Sequence, residues 1–173
     1  EINVFPVPDG DTGTNMCFTL LPIIEDCKDK ITENVGESLD IISDLALESA
    51  RGNSGTIIAQ FLHGLRKACR SKDIINVNDF SKALESGYES AIESLMNPEE
   101  GTIITVMRDV SEKSKALSLN EEISFEDFLD QCYQESVVSL EKTKNILKIL
   151  RKSDVVDAGA LGFVLLMQGW LNS

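Results

Sequence analysis

The stretch Phe5-Pro-Val-Pro-Asp-Gly-Asp-Thr-Gly-Thr-Asn-Met16 sets two carboxylates, Asp9 and Asp11, on either side of Gly10. Thr12, Gly13, Thr14 and Asn15 follow, and an apolar run begins at Met16. Pro6 and Pro8 stiffen the approach and keep it out of a helix. The pattern reads as a rigid acidic loop that feeds a helix N-terminus. Carboxylates at that spacing can hold a hard cation such as Mg²⁺. The unbonded N–H groups of a first helical turn can hold an anion. A magnesium nucleotide needs both side by side.

Plainer readings compete. An Asp-Gly-Asp loop is often only a turn, and an Asp or Thr before a helix is often only a cap. An EF-hand opening at Asp9 needs an oxygen-bearing side chain at position 13, glycine at 14 and glutamate at 20. The chain has Gly13, Thr14 and Leu20 there, which excludes it. A phosphatase-type Asp-x-Asp nucleophile follows a buried strand. Here prolines precede the aspartates, and no strand pattern does.

Outward from this loop the periodicity is helical. A first helix is predicted from about Thr14 to Cys27, with a kink at Pro22. A second runs from Glu33 to Arg51, with Val35, Leu39, Ile42, Leu45 and Ala46 on its apolar face. Asn53-Ser54-Gly55-Thr56 opens a third, to about Arg70, whose stripe is Ile57, Ile58, Phe61, Leu62 and Leu65. Asn78 is expected to cap a fourth, to about Met96. Asn97 to Gly101 form a second stiff loop, and Thr102 starts a fifth helix to about Leu117. Ser124 with Asp127 resembles a capping box and opens a sixth to about Glu141. A short seventh spans Asn145 to Arg151, and an apolar last helix spans Ala160 to Leu171. Only Ile103-Ile104 and Asp154 to Val156 tempt a strand assignment. The expectation is an all-α, mostly antiparallel bundle of seven or more helices with short connections.

Four junctions share one chemistry: Asp11 to Asn15, Gly52 to Thr56, Gly101-Thr102 and Asp157 to Gly159. Each sets a glycine beside a short polar or acidic residue at a helix start, where backbone can approach a ligand closely. In an up-and-down bundle alternate helices point the same way, so the first three starts should gather at one end. Any one junction is more simply a cap. Four in one short chain, beside an Asp-Gly-Asp loop, favour a nucleotide site.

Composition narrows the partners. The chain has 173 residues, 29 acidic and 16 basic side chains and a net charge of −13. That balance argues against nucleic acid or an anionic membrane as the main partner. Cys17, Cys27, Cys69 and Cys132 form no C-x-x-C pattern and read as free thiols in a reducing cytoplasm. No apolar run approaches the roughly 20 residues of a membrane span. The acidic loop begins only a few residues after Glu1, so further sequence is expected upstream.

VPDGDTGTNM, ARGNSGTIIAQFLHG, EEGTIITV and VVDAGALGF occur in that order. Together they resemble the nucleotide-binding domain of the dihydroxyacetone kinase L subunit family over nearly the whole chain. The resemblance is closest to the fatty acid kinase A subunit branch, whose hallmark is NVFPVPDGDTGTNM. It implies an antiparallel up-and-down barrel of about eight amphipathic helices in a single domain, residues 1–173, with the first helix lying upstream. It also implies ADP or ATP and two Mg²⁺ ions at one rim. Asp9 and Asp11 match two metal ligands, and Asn3 matches the third only approximately. Phosphate contacts carry over to Thr12, Gly13, Thr14, Asn15, Asn53 and Ser54. Gly101 and Thr102 match a loop near the nucleotide, and Asp157-Ala158-Gly159 replace an Asp-Pro-Gly loop against base and ribose. A nucleotide-contacting arginine of the relatives has no fixed counterpart here, with Arg151 and Lys144 both nearby.

The activity implied is transfer of the ATP γ-phosphate to a fatty acid carboxylate presented by a DegV-like fatty-acid-binding protein. The alternatives are a glycerone-type kinase subunit using ATP or bound ADP, and a non-catalytic nucleotide-binding interaction domain. A homodimer would form through regions outside this stretch. No side chain is assigned as catalytic. His63, the only histidine, is read as a structural mid-helix residue. An ionised carboxylate acceptor needs no general base.

Overall fold

The computed structural model describes residues 10–27 and 30–173. Its elements are α1 (Thr12–Asp26), α2 (Val35–Ser49), α3 (Gly52–Cys69), α4 (Val77–Glu93), α5 (Ile103–Leu117), α6 (Phe125–Ile146), α7 (Lys148–Ser153) and α8 (Ala158–Leu171). No strand occurs among the described residues, and Ile103-Ile104 open α5. The fold is all-α, as the periodicity predicts. The long helices form a ring in which α1 to α6 pack broadly in chain order and α8 follows α6, with α1 also packed on α3 and α8 on α5. The short α7 lets α8 start at the end where α6 finishes. Hence α1, α3, α5 and α8 all begin at one end of the ring.

The core is built from one face of each helix. Ile58, Phe61, Leu84, Met107, Phe128 and Phe163 are fully buried. Phe61 meets Phe163 edge-on at 5.1 Å, a favoured arrangement for two ring quadrupoles. Trp170 stacks on Phe61 at 6.3 Å and closes the end of the ring away from the four helix starts.

Several boundaries differ from expectation for local reasons. Asn76, not Asn78, caps α4, and it forms a full capping box with Asp79. Lys72 pairs with Asp79 at 3.0 Å and holds that carboxyl below its usual range, with the Asn76 backbone bond adding to the effect. At Ser124 the Asp127 N–H donates to the hydroxyl oxygen, but the Asp127 carboxylate accepts from the same hydroxyl rather than from the backbone. A serine cap has its own O–H to offer, so the box is only half formed. No breaker follows Glu141, and α6 runs on to Ile146 with Lys144 paired to Glu141 at 2.8 Å. That shifts α7 to Lys148–Ser153, where it stops on Asp154 at φ 52°. Pro22 does not interrupt α1, which continues to Asp26.

Side by side, α1 and α8 run parallel. An apolar groove of about 630 Å³ lies between them, lined among others by Met16, Cys17, Leu20, Leu165 and Leu166.

Helices α3 and α4 approach each other closely at Gly64. A Cβ at Gly64 would lie 2.2 Å from the Ser86 carbonyl oxygen and 2.5 Å from the Gly87 Cα. Both neighbours are backbone, so relief requires the helices to part. Gly64→Ala should therefore cost about 1–3 kcal/mol of stability, the usual penalty of overpacking. Urea denaturation measures it, and an unchanged midpoint would show that α3 and α4 have room to separate.

Candidate functional site

The four helix starts surround a pocket of about 500 Å³. Its walls are Asp11, Thr12 and Asn15 at the start of α1, and Gly52, Asn53, Ser54 and Ile57 at the start of α3. Leu95, Asn97 and Glu99 follow from the loop after α4, then Thr102 and Ile103 at the start of α5, and Asp157 and Gly159 at the start of α8. The first three junctions gather as the alternating topology predicts. The fourth joins them because α7 restores the direction of the chain.

Polar side chains clamp α1 against α3. Asn15 Nδ2 donates to Asp11 Oδ2 at 2.7 Å. Gly52 sits at φ 60° against that amide, where a Cβ would lie 2.5 Å from Asn15 Nδ2. That φ favours glycine, and a side chain there would also have to displace the Asn15 amide. The Ser54 hydroxyl donates to the Thr12 carbonyl at 3.2 Å. Thr19, fully buried, accepts from the Arg51 N–H at 3.2 Å and donates to the Asn15 carbonyl at 2.8 Å. The N-cap residue of α3, Arg51, makes no side-chain capping bond.

The opposite wall is held through acidic residues. Glu100 accepts from the Thr105 hydroxyl at 2.7 Å and pairs with Arg108, which also pairs with Asp109 at 3.0 Å. Asp109 accepts from Ser139 on α6 at 2.7 Å. Asp157 is only 6% exposed. Burial pushes its carboxyl up to about 6, against the lowering effect of backbone N–H groups at Ala160, Ile103 and Gly159.

Of the residues read from sequence, Asp11, Thr12, Asn15, Asn53, Ser54, Thr102, Asp157 and Gly159 line the pocket. Gly13 and Ala158 face the adjoining groove between α1 and α8 instead. Thr14 is exposed, and Gly101 is buried against Ile146 and Leu147. Asp9 and Asn3 lie outside the described residues. Among the described residues no group of three His, Cys, Asp or Glu side chains is placed to hold a metal ion. Lys144 pairs with Glu141, and Arg151 donates to the Asn145 carbonyl. Neither lines the pocket. His63 lies mid-α3 with Nδ1 3.3 Å from the Ser43 hydroxyl, facing a separate cleft.

Sequence reading missed Ile57, Leu95, Asn97, Glu99 and Ile103 as pocket residues. Ile57 and Leu95 share the periodicity of the core and carry no separate signal. Asn97 and Glu99 sit in a loop whose stiffness was legible but whose direction was not. All four cysteines are unpaired. No described helix is long and apolar enough to cross a membrane.

The buried carboxyl of Asp157 gives a signed pH dependence. Its folded value, about 6, exceeds the ordinary 3.8, so the folded state holds the proton more tightly. The associated stability is fully present below 3.8 and is lost as pH rises through 6. Relative to Asp157→Asn, the native chain should lose about 3 kcal/mol of stability between pH 3.5 and 7. Parallel urea-denaturation profiles of the two proteins across that range would refute the burial argument.

The family model described as the DAK2 domain matches residues 6–172. An uncharacterized protein of Staphylococcus saprophyticus is 36% identical over 175 residues, covering 100% of this chain and 31% of the relative. Protein YloV of Bacillus subtilis is 36% identical over 172 residues, covering 99% of this chain and 31% of the relative. An uncharacterized protein of Staphylococcus aureus USA300 is 36% identical over 173 residues, again with 100% and 31% covered. This chain spans about a third of the length of these curated relatives.

Proposed function

Because the chain belongs to the DAK2-domain family, as a kinase-type nucleotide-binding domain, we propose that it is the ATP-binding part of a fatty acid kinase. In this reading a carboxylate oxygen of the fatty acid attacks the γ-phosphorus of ATP. The bond to the β,γ-bridging oxygen breaks, ADP leaves and an acyl phosphate forms. Such transfers depend mainly on positioning and charge neutralisation. A DegV-like protein presents the acyl chain, and the reaction takes place in the cytoplasm.

The observation that carries this reading is the convergence of Asp11, Thr12, Asn15, Asn53 and Ser54 on one pocket, with His63 outside it. A hydroxyl acceptor would need a general base, and a carboxylate acceptor does not. We assign the phosphates to the two junctions that hold Thr12 to Asn15 and Asn53-Ser54, through the pocket-lining Thr12, Asn15, Asn53 and Ser54. Ribose and base go toward the junctions at Gly101-Thr102 and Asp157 to Gly159, where Thr102 and Gly159 line the pocket. Asp11 carries the donor chemistry for Mg²⁺, and Asp9 and Asn3 would complete the set for two ions. Bound there, Mg²⁺ would neutralise phosphate charge.

Calorimetry with ATP should show binding that requires Mg²⁺. Asp9→Ala or Asp11→Ala should abolish it without loss of helicity. Unchanged affinity in both variants would sink the metal assignment. With a DegV-like partner, labelled γ-phosphate should appear on the fatty acid. Its appearance on glycerone instead would make this a glycerone-type subunit, and binding without turnover would make it an interaction domain.

The whole chain, residues 1–173, is proposed as one domain whose ring takes a further helix from upstream into the α1/α8 groove. The groove between the parallel helices α1 and α8 leaves a place for one antiparallel helix. The last helix, α8, carries no charged residue, yet Leu165 on it is 57% exposed. A helix apolar on all sides belongs in a core. Cys17 lines the groove and is the exposed one of the four cysteines. Its reaction with a thiol reagent should slow strongly when the protein carries its preceding residues. An unchanged rate would rule this placement out.

A further inference from the structure

We propose that Asp157 is a positioning residue of the pocket, which caps two helices at once and so sets the start of α5 against the start of α8. The N-cap residue of α5, Thr102, does not cap its own helix. Its hydroxyl donates to the Glu99 carbonyl at 2.7 Å instead. The cap arrives from 54 residues away: the Ile103 N–H donates to Asp157 Oδ2 at 3.1 Å. The same oxygen accepts the Ala160 N–H of α8 at 2.8 Å.

A third helix fixes the backbone that carries this carboxylate. The Asp157 N–H donates at 3.1 Å to the hydroxyl of Thr143 on α6, which itself donates to the Leu140 carbonyl at 2.6 Å. Thr143 is fully buried and does not line the pocket. Asp157 is thus held from α5, α6 and α8 together. One of its oxygens is committed to two backbone donors, and the residue is almost wholly buried. Its part in ligand binding is to hold Thr102 and Gly159 in place on the pocket wall, not to reach out to the ligand. Neither the family match nor the relatives assign it this role.

The purpose of the wall rests on the nucleotide reading above, but the double cap does not, and the test separates them. Hydrogen exchange and calorimetry are run on the native chain, Asp157→Ala, Asp157→Asn and Thr143→Val. The probes are ATP and 2′,3′-dideoxy-ATP with Mg²⁺. In Asp157→Ala the Ile103 and Ala160 amides should exchange about tenfold faster, and affinity for both nucleotides should fall by about tenfold, the loss of one buried hydrogen bond. Asp157→Asn, whose amide oxygen accepts the same two bonds, should restore all three. A loss confined to ATP would make Asp157 a ribose contact and overturn the proposal. If Asp157→Ala does not fold, Thr143→Val decides. It leaves the carboxylate in place and should weaken both nucleotides in equal proportion, whereas unchanged affinity overturns the proposal. A native chain that binds neither nucleotide overturns the nucleotide reading alone. Unchanged exchange at Ile103 and Ala160 in Asp157→Ala would then overturn the double cap by itself.

Discussion

Four helix starts meeting at one end impose an electrostatic constraint on this fold. Each first turn leaves unbonded N–H groups and the equivalent of about half a positive charge. Brought together around one pocket, these ends repel one another unless something negative lies between them. The topology makes the gathering unavoidable. Alternation aligns α1, α3 and α5, and the short α7 brings α8 into the same direction. Acidic side chains at this end, Asp11, Glu99 and Asp157, answer that repulsion.

The two sides of the pocket answer it differently. Between α5 and α8 the compensation is internal: the Asp157 carboxylate accepts from both helices. Between α1 and α3 the clamps are neutral. Thr19 and Ser54 tie the two helices through hydroxyls, and the N-cap residue of α3, Arg51, makes no side-chain capping bond. Burying a carboxylate is costly, which its raised proton affinity records. A neutral amide would cap as many N–H groups at lower cost. The charge is intelligible where two like-signed helix ends must be held together.

Most of the fold was legible because helical periodicity and cap residues are local. The stripes of α3 and α4 and the cap at Ser124 follow from residues three and four apart. What was not legible depends on partners distant in sequence. Asn76 prevails over Asn78 because it and Asp79 cap reciprocally, with Lys72 paired to that carboxylate. Gly13, Thr14, Gly101 and Ala158 belong to the right junctions but face elsewhere, because a motif gives position along a chain and not direction. Asp157 was legible as a helix start. Its bond to Ile103, across 54 residues, has no trace in local pattern.

The overall charge of −13 sharpens what this pocket can do. No lysine or arginine lines it among the described residues. Two guanidinium groups next to pocket-lining segments are committed elsewhere: Arg51 lies over the Phe18 ring at 4.9 Å, and Arg108 is shared between Glu100 and Asp109. Among the described residues, a polyanion at this rim would meet backbone dipoles, hydroxyls and the amides of Asn15, Asn53 and Asn97, with Asp11 repelling it. Dipoles of this kind act over one helical turn and neutralise little net charge. An acidic loop in such a place is unfavourable for an anion alone and favourable for an anion that arrives with a divalent cation. A free phosphate chain and a metal-complexed one are separated by the sign of one local interaction.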